Sequence, residues 1–201
     1  MEELLEKIKK LDIDEDKNYI YYDELENKSG KRYEHIINNN IDISDFSSHS
    51  PSCSKLYDVL INLNISNKDS ILDIGSGKGY ALFIFSLFDF NEICGVEISK
   101  TDNYICKKNL EKLDLNKKIK IINDDILNFK KFNSYNYFYF YNPFGEEIFR
   151  KIINILSKIK NITIIYKNVH KNDILILSEN NLHVYDMVEG DGRDYYIFRN
   201  F

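Results

Sequence analysis

The chain has 201 residues, 43% of them hydrophobic and 29% charged, with a formal net charge of -5. That length accommodates one globular domain with a modest appendage. An acidic balance with lysines interleaved among acids argues against an obligate nucleic-acid binder, which would want a basic stripe to displace counterions, and leaves room only for a local basic groove.

The three cysteines, Cys53, Cys94 and Cys106, have no paired spacing and no CxxC, so no disulfide framework is expected. Cys94 lies in an apolar run and reads as a small core residue. The N-terminus MEELLEKIKK is charged and lacks the apolar stretch of a signal peptide. No segment approaches the roughly 20 apolar residues that cross a bilayer. A cytoplasmic, reduced setting without a membrane partner is expected, and the oligomeric state stays open.

In chain order, residues 2–10 suggest a short helix, with Leu4, Leu5 and Ile8 on one stripe. Residues 19–22 and 32–37 flank Asn27-Lys28-Ser29-Gly30 and suggest a hairpin, although a helix through 31–37 fits nearly as well. Asn38-Asn39-Asn40 is a break. Residues 1–46 are thus an appendage, a lid or an oligomerisation arm, and 47–201 form the main domain. There, Ser50 caps a helix with Pro51 at its first position, and Leu56, Val59, Leu60 and Leu63 form the apolar face.

A regular alternation follows. Strands are predicted at 70–74, 92–97, 118–122, 137–141 and 162–166, and helices at 80–88, 101–113, 146–159 and 171–179. Two last strands, 182–189 and 195–201, flank the turn Gly190-Asp191-Gly192. This order implies an α/β fold. It is expected as a three-layer α/β/α sandwich with a mostly parallel seven-stranded sheet ending in an antiparallel β-hairpin.

The strongest local signal is Asp73-Ile74-Gly75-Ser76-Gly77-Lys78-Gly79 between a strand and a helix. Glycines admit positive φ and let a ligand approach the backbone, and the helix start offers free N–H groups. A dinucleotide fingerprint would place its third glycine at residue 80, which is Tyr80. Asp73 also disfavours a pyrophosphate and suits a cation instead. Glu97, ending the next strand, can accept from both hydroxyls of a ribose. Asp124-Asp125-Ile126 follows the third strand. One carboxylate, Asp125 by preference, could accept from an adenine amine while the next backbone N–H meets a ring nitrogen. The alternative for this pair is a helix cap or a loop acid.

Asn142, Pro143 and Phe144 end an aromatic strand, on the edge where open α/β sheets bind ligands. The Asn142 carbonyl and nearby backbone carbonyls could hold an amine nitrogen, with Phe144 walling the site or meeting a cation. A rigid exit turn is the plainer alternative. His49 and His170 also fall near the binding edge, as candidate bases. His35 and His183 have no obvious partners. No His, Cys or carboxylate cluster suggests a metal, so none is expected.

These motifs, in this order over residues 70–144, resemble the class I (seven-stranded Rossmann-like) S-adenosylmethionine-dependent methyltransferase family. The phrases Gly-Ser-Gly-Lys-Gly and Tyr-Asn-Pro-Phe look like its small bacterial members. The resemblance covers about residues 47–201. It implies that Asp73, Gly75, Ser76, Gly77 and Gly79 surround the methionine part of S-adenosyl-L-methionine. Glu97 would hold the ribose and Asp125 with Ile126 the adenine, Ile98 would also belong to the cofactor site, and S-adenosyl-L-homocysteine would be the product. Asn142, Pro143 and Phe144 are similar to the Asn/Asp-Pro-Pro-Tyr/Phe box of amino-methylating enzymes, but the second proline is missing, which puts base methylation in doubt. The expected reaction is methyl transfer to an amine nitrogen of a small molecule or protein. Three rivals stand beside it: a small-molecule O-methyltransferase using His49 or His170, a non-catalytic cofactor-binding module, and a nicotinamide-dependent oxidoreductase.

Overall fold

The structure, a computed structural model, describes residues 53–112, 115–189 and 193–200. The expected N-terminal helix and hairpin, the Ser50–Pro51 cap, His35, His49 and the turn at 190–192 lie outside the described residues. The order of elements is α1 (Cys53–Ile61), β1 (Ser70–Ile74), α2 (Tyr80–Phe85), β2 (Glu92–Glu97), α3 (Lys100–Lys112) and β3 (Ile119–Asn123). Then come β4 (Tyr137–Tyr141), α4 (Glu146–Leu156), β5 (Thr163–Lys167), α5 (Lys171–Glu179), β6 (His183–Val188) and β7 (Tyr195–Arg199).

The strands form one seven-stranded sheet in the order β3-β2-β1-β4-β5-β7-β6. The first five pair in parallel, and β7 runs antiparallel to both its neighbours. The expected fold class is therefore borne out. Two helices stop earlier than their apolar periodicity suggested. At the end of α2 the Ser86 hydroxyl donates to the Phe83 carbonyl at 2.6 Å. The Leu87 and Phe88 amides then bond three residues back, to Ile84 and Phe85. Helix α4 ends likewise, with the Lys158 and Ile159 amides bonded to Ile155 and Leu156. In both cases the chain tightens into i→i−3 turns that satisfy the terminal carbonyls.

Side-chain alternation along the strands sorts the core into two layers. On one face Ile71, Ile93, Tyr137 and Tyr139 pack with Leu56, Leu60, Leu82, Phe85 and Cys106 of helices α1 to α3. On the other, Leu72, Ile74, Val96, Phe138 and Phe140 pack with Phe149, Ile152, Ile153, Ile176 and Leu177 of α4 and α5. The aromatic run of β4 belongs to both layers, as expected for a central strand covered on each side. Cys94 is fully buried, as predicted.

The N-terminal edge of the parallel strands is tied by structural bonds. The Asn136 carboxamide accepts from the Ser70 amide at 2.8 Å and donates to Asp69 at 2.7 Å. Asn200 accepts from the Ile162 amide and donates to the Ile159 carbonyl. The C-terminal edge carries the turns with the chemistry. Strand order reverses between β1 and β4, the place where open α/β sheets bind ligands.

Candidate functional site

The turn after β1 is held from two sides. The Gly75 and Ser76 amides both donate to the Val96 carbonyl at the end of β2, at 3.0 and 3.1 Å. On α3, the Asn109 side chain donates to the Lys78 carbonyl at 3.1 Å. The backbone is left-handed at Gly75, Gly77 and Gly79, with φ of 80°, 51° and 86°. Two of these glycines also answer a packing demand. A Cβ on Gly75 would lie 2.8 Å from the Pro143 side chain, and one on Gly79 would overlap the Cys106 thiol. Gly95 of β2 is small for a related reason, because a Cβ there would meet the Ser76 hydroxyl and Leu82, each at 2.7 Å.

Asp73 faces the α1–α3 layer, in register with Gly95 on one side and Tyr139 on the other. It is buried, and its Oδ2 atom has no hydrogen-bond partner. Burial pushes its carboxyl well above the usual range, and the charge of Glu97 pushes it further. The buried Ser76 hydroxyl, in the same turn, also has no partner. Two orphaned polar atoms beside a glycine turn are what a polar, cationic ligand would satisfy.

Glu97 is buried at the end of β2 and bridges two turns. Its carboxylate accepts from the Gly77 amide at 2.8 Å and from the Ser99 amide at 2.7 Å. Burial raises its carboxyl, and these backbone donors partly counter that shift. Ile98, next to it, is 51% exposed, an apolar surface standing at the site. Asp125 caps the short 3-10 turn Ile126–Asn128 by accepting from the Leu127 amide at 2.9 Å. The capping alternative is therefore realised, through one carboxylate oxygen. Ile126 is buried in the second core layer.

Asn142, Pro143 and Phe144 are each half-buried at the end of β4. Asn142 is left-handed, with φ of 41°, a conformation that asparagine tolerates better than most residues. Its Nδ2 lies 2.8 Å from Nε2 of His170, the residue that precedes α5. Its Oδ1 is 3.5 Å from the Tyr166 hydroxyl, which donates to Asp173 at 2.8 Å. Burial and then the Asp173 charge push the Tyr166 hydroxyl upward, so it stays protonated.

Residues 28–158 match the protein-L-isoaspartate(D-aspartate) O-methyltransferase (PCMT) family, a span of well over half the chain. The chain belongs to the PCMT family. That family is one of methyltransferases.

Among curated proteins, an rRNA adenine N-6-methyltransferase of Limosilactobacillus reuteri is 33% identical over 119 residues. That alignment covers 57% of this chain and 47% of the relative, so the chain spans about half the length of the curated relative it matches. Among solved structures, an RNA methyltransferase of Salinibacter ruber in complex with S-adenosyl-L-homocysteine superposes with a TM-score of 0.58 at 14% identity. It covers 72% of this chain and 90% of that one. A B. subtilis tRNA methyltransferase gives a TM-score of 0.60 at 18% identity, covering 77% of this chain and 67% of that one. At such identities these structures speak for the fold alone.

In this family member the sheet edge gathers Asp73, the glycine turn, Glu97, Ile98 and Asp125 on the β1–β3 side, with Asn142 to Phe144 beside β4. Sequence reasoning passed over Asn109, Cys106 and Gly95, which brace the turn from α3 and β2. Their only signal is a polar or small residue at a helix or strand position that faces the turn, visible once the register is known. His170 appeared as a candidate base, and the structure places its Nε2 against the Asn142 side chain. His183 stands apart on the exposed strand β6. Among the described residues no cluster of metal-ligating side chains occurs, and no helix is long and apolar enough to cross a membrane.

Proposed function

We propose that the protein transfers the methyl group of S-adenosyl-L-methionine to an amino nitrogen. The observation that carries this reading is Asn142, held in a left-handed turn beside the glycine turn with its amide anchored by His170. A side-chain carbonyl and the backbone carbonyls of such a turn accept hydrogen bonds, which suits a nucleophile bearing N–H groups.

The residues present fit the cofactor. Asp73, whose buried Oδ2 lacks a partner, and the buried, unpartnered Ser76 hydroxyl would take the ammonium and carboxylate end, with Gly75 and Gly77 allowing close approach. Glu97 would accept from the ribose hydroxyls with its remaining lone pairs. Ile98 would cover the adenine face, and Asp125 and the Ile126 amide would read its edge. When bound, the cofactor supplies an already activated methyl group. The protein's task is then alignment. Asn142 would orient the amine so that its lone pair faces the methyl, Pro143 would set the turn, and Phe144 would exclude water. An amine must arrive neutral, and a dry site favours that form.

The net charge of -5 weighs toward a small-molecule or protein amine. The relative named for rRNA adenine makes adenine-bearing RNA a necessary arm of the screen, and the family description adds a carboxylate arm. The experiment is tritium transfer from labelled S-adenosyl-L-methionine to small amines, a lysine-rich protein, an adenine-rich RNA oligonucleotide and an isoaspartyl peptide. Stable N-methyl product from one of the first three is expected. Transfer confined to the isoaspartyl peptide, as a base-labile ester, would refute the amine reading.

A further inference from the structure

We propose that the Tyr139 hydroxyl is a further ligand of the cofactor's ammonium group, on the β4 side of Asp73. The inference rests on the cofactor reading above and names a residue which that reading does not use.

In a parallel pair, residues in register point to the same face from strands about 4.8 Å apart. Asp73 of β1 and Tyr139 of β4 are such a pair. Both are buried, at 2% exposure each. Both also carry an oxygen without a hydrogen-bond partner, Oδ2 of Asp73 and the hydroxyl of Tyr139. Burial, then the neighbouring Tyr195 phenol and the Asp73 charge, push the Tyr139 hydroxyl well above the usual tyrosine range. It is therefore a neutral phenol that lies within the field of the Asp73 carboxyl.

Among the described residues no hydrogen bond of the fold uses this hydroxyl. A comparison stands on the same strand and face. Tyr137, two residues earlier, donates to the Leu63 carbonyl at 3.2 Å. Tyr139 contributes its ring instead, which Phe85 of α2 meets edge-on with centroids 5.5 Å apart. A phenylalanine would make that contact without stranding a buried polar atom, which costs stability.

A bound ligand would relieve that cost, and the neighbours define its chemistry. An ammonium has three N–H donors and no acceptor. Asp73 and Tyr139 offer it acceptors from two adjacent strands, one of them a carboxylate. An anionic group placed there would instead face the Asp73 carboxyl. The ammonium is thus the part of the cofactor that fits between them.

The test is calorimetry of the full chain with S-adenosyl-L-homocysteine and with its deamino analogue. In the analogue hydrogen replaces the ammonium, while the carboxylate and thioether chain remain. Tyr139→Phe removes one oxygen and keeps the ring. It is expected to weaken S-adenosyl-L-homocysteine by about tenfold or more, the worth of a hydrogen bond to a charged group. Affinity for the analogue should not change. In thermal melts without ligand the variant should be at least as stable as wild type, because the stranded hydroxyl is gone. Tyr137→Phe is the companion, expected to lower the melting temperature and leave both affinities as they were. Equal weakening of both ligands by Tyr139→Phe, or of neither, would overturn the proposal. So would a Tyr139→Phe protein that melts below wild type, since its hydroxyl would then be bonded within the fold, for instance to Tyr195. Wild-type protein that binds neither ligand would sink the cofactor reading itself. Where the cofactor product binds, the selectivity of Tyr139→Phe alone decides this proposal.

Discussion

Asp73→Asn is expected to make the cofactor-free protein more stable at neutral to alkaline pH while weakening its grip on the cofactor. The native carboxyl is buried with Oδ2 unpartnered and Glu97 nearby. A buried polar group without a partner costs about 1–3 kcal/mol, and more when it is charged. Because the native carboxyl is raised above its ordinary value, the folded protein holds that proton to higher pH than the unfolded chain does. Above the ordinary carboxylate range the folded state binds more protons, so stability falls as pH rises until the raised native value is passed. Asparagine keeps the shape without the charge. A gain of about 2 kcal/mol at pH 8, at about 2–4 °C per kcal/mol for a chain of this size, is a Tm rise of roughly 4–8 °C. The same substitution removes the anion offered to the ammonium, and a charged hydrogen bond is worth about 1.5–3 kcal/mol, so affinity should fall by roughly 10- to 150-fold. Thermal melts from pH 5 to 9 and calorimetry with S-adenosyl-L-homocysteine check both halves. A variant that melts below wild type at pH 8, or binds the ligand equally well, would refute the reasoning.

Glu97→Gln leaves one carbonyl oxygen where two carboxylate oxygens took the Gly77 and Ser99 amides. One N–H is stranded, at a cost of about 1–3 kcal/mol, and calorimetry should show at least tenfold weaker cofactor binding. Gly75→Ala combines a left-handed backbone with the 2.8 Å approach to Pro143. Strain of about 1–2 kcal/mol plus overpacking of about 1–3 kcal/mol should appear as a lower urea midpoint together with lost methyl transfer. Asn136→Ala cuts the tie at the opposite edge of the sheet. It should cost about 1–3 kcal/mol of stability with unchanged ligand affinity in calorimetry, separating fold maintenance from the site.

The succession of elements was legible because each apolar run is bounded by turn residues and strand alternates with helix. The order of strands was not, since nothing in a run such as Tyr137–Tyr141 names its neighbours; pairing of β4 between β1 and β5 is a property of how the layers pack. The same limit applies at the site. Asp73, Gly75 and Glu97 could be singled out because a carboxylate or glycine at a strand end is costly unless it has a use. Their mutual geometry depends on contacts between distant segments. Gly75 is the clearest instance: its sequence context speaks of ligand access, yet the structure shows Pro143 filling the space a Cβ would take. The glycine turn after β1 and the Asn-Pro turn after β4 therefore press on one another. The residues proposed to hold the cofactor and those proposed to hold the acceptor thus lie on two turns in close approach. In-line transfer tolerates little misalignment, so if the proposed transfer occurs here, a glycine at position 75 is what would let the two turns approach closely enough for it.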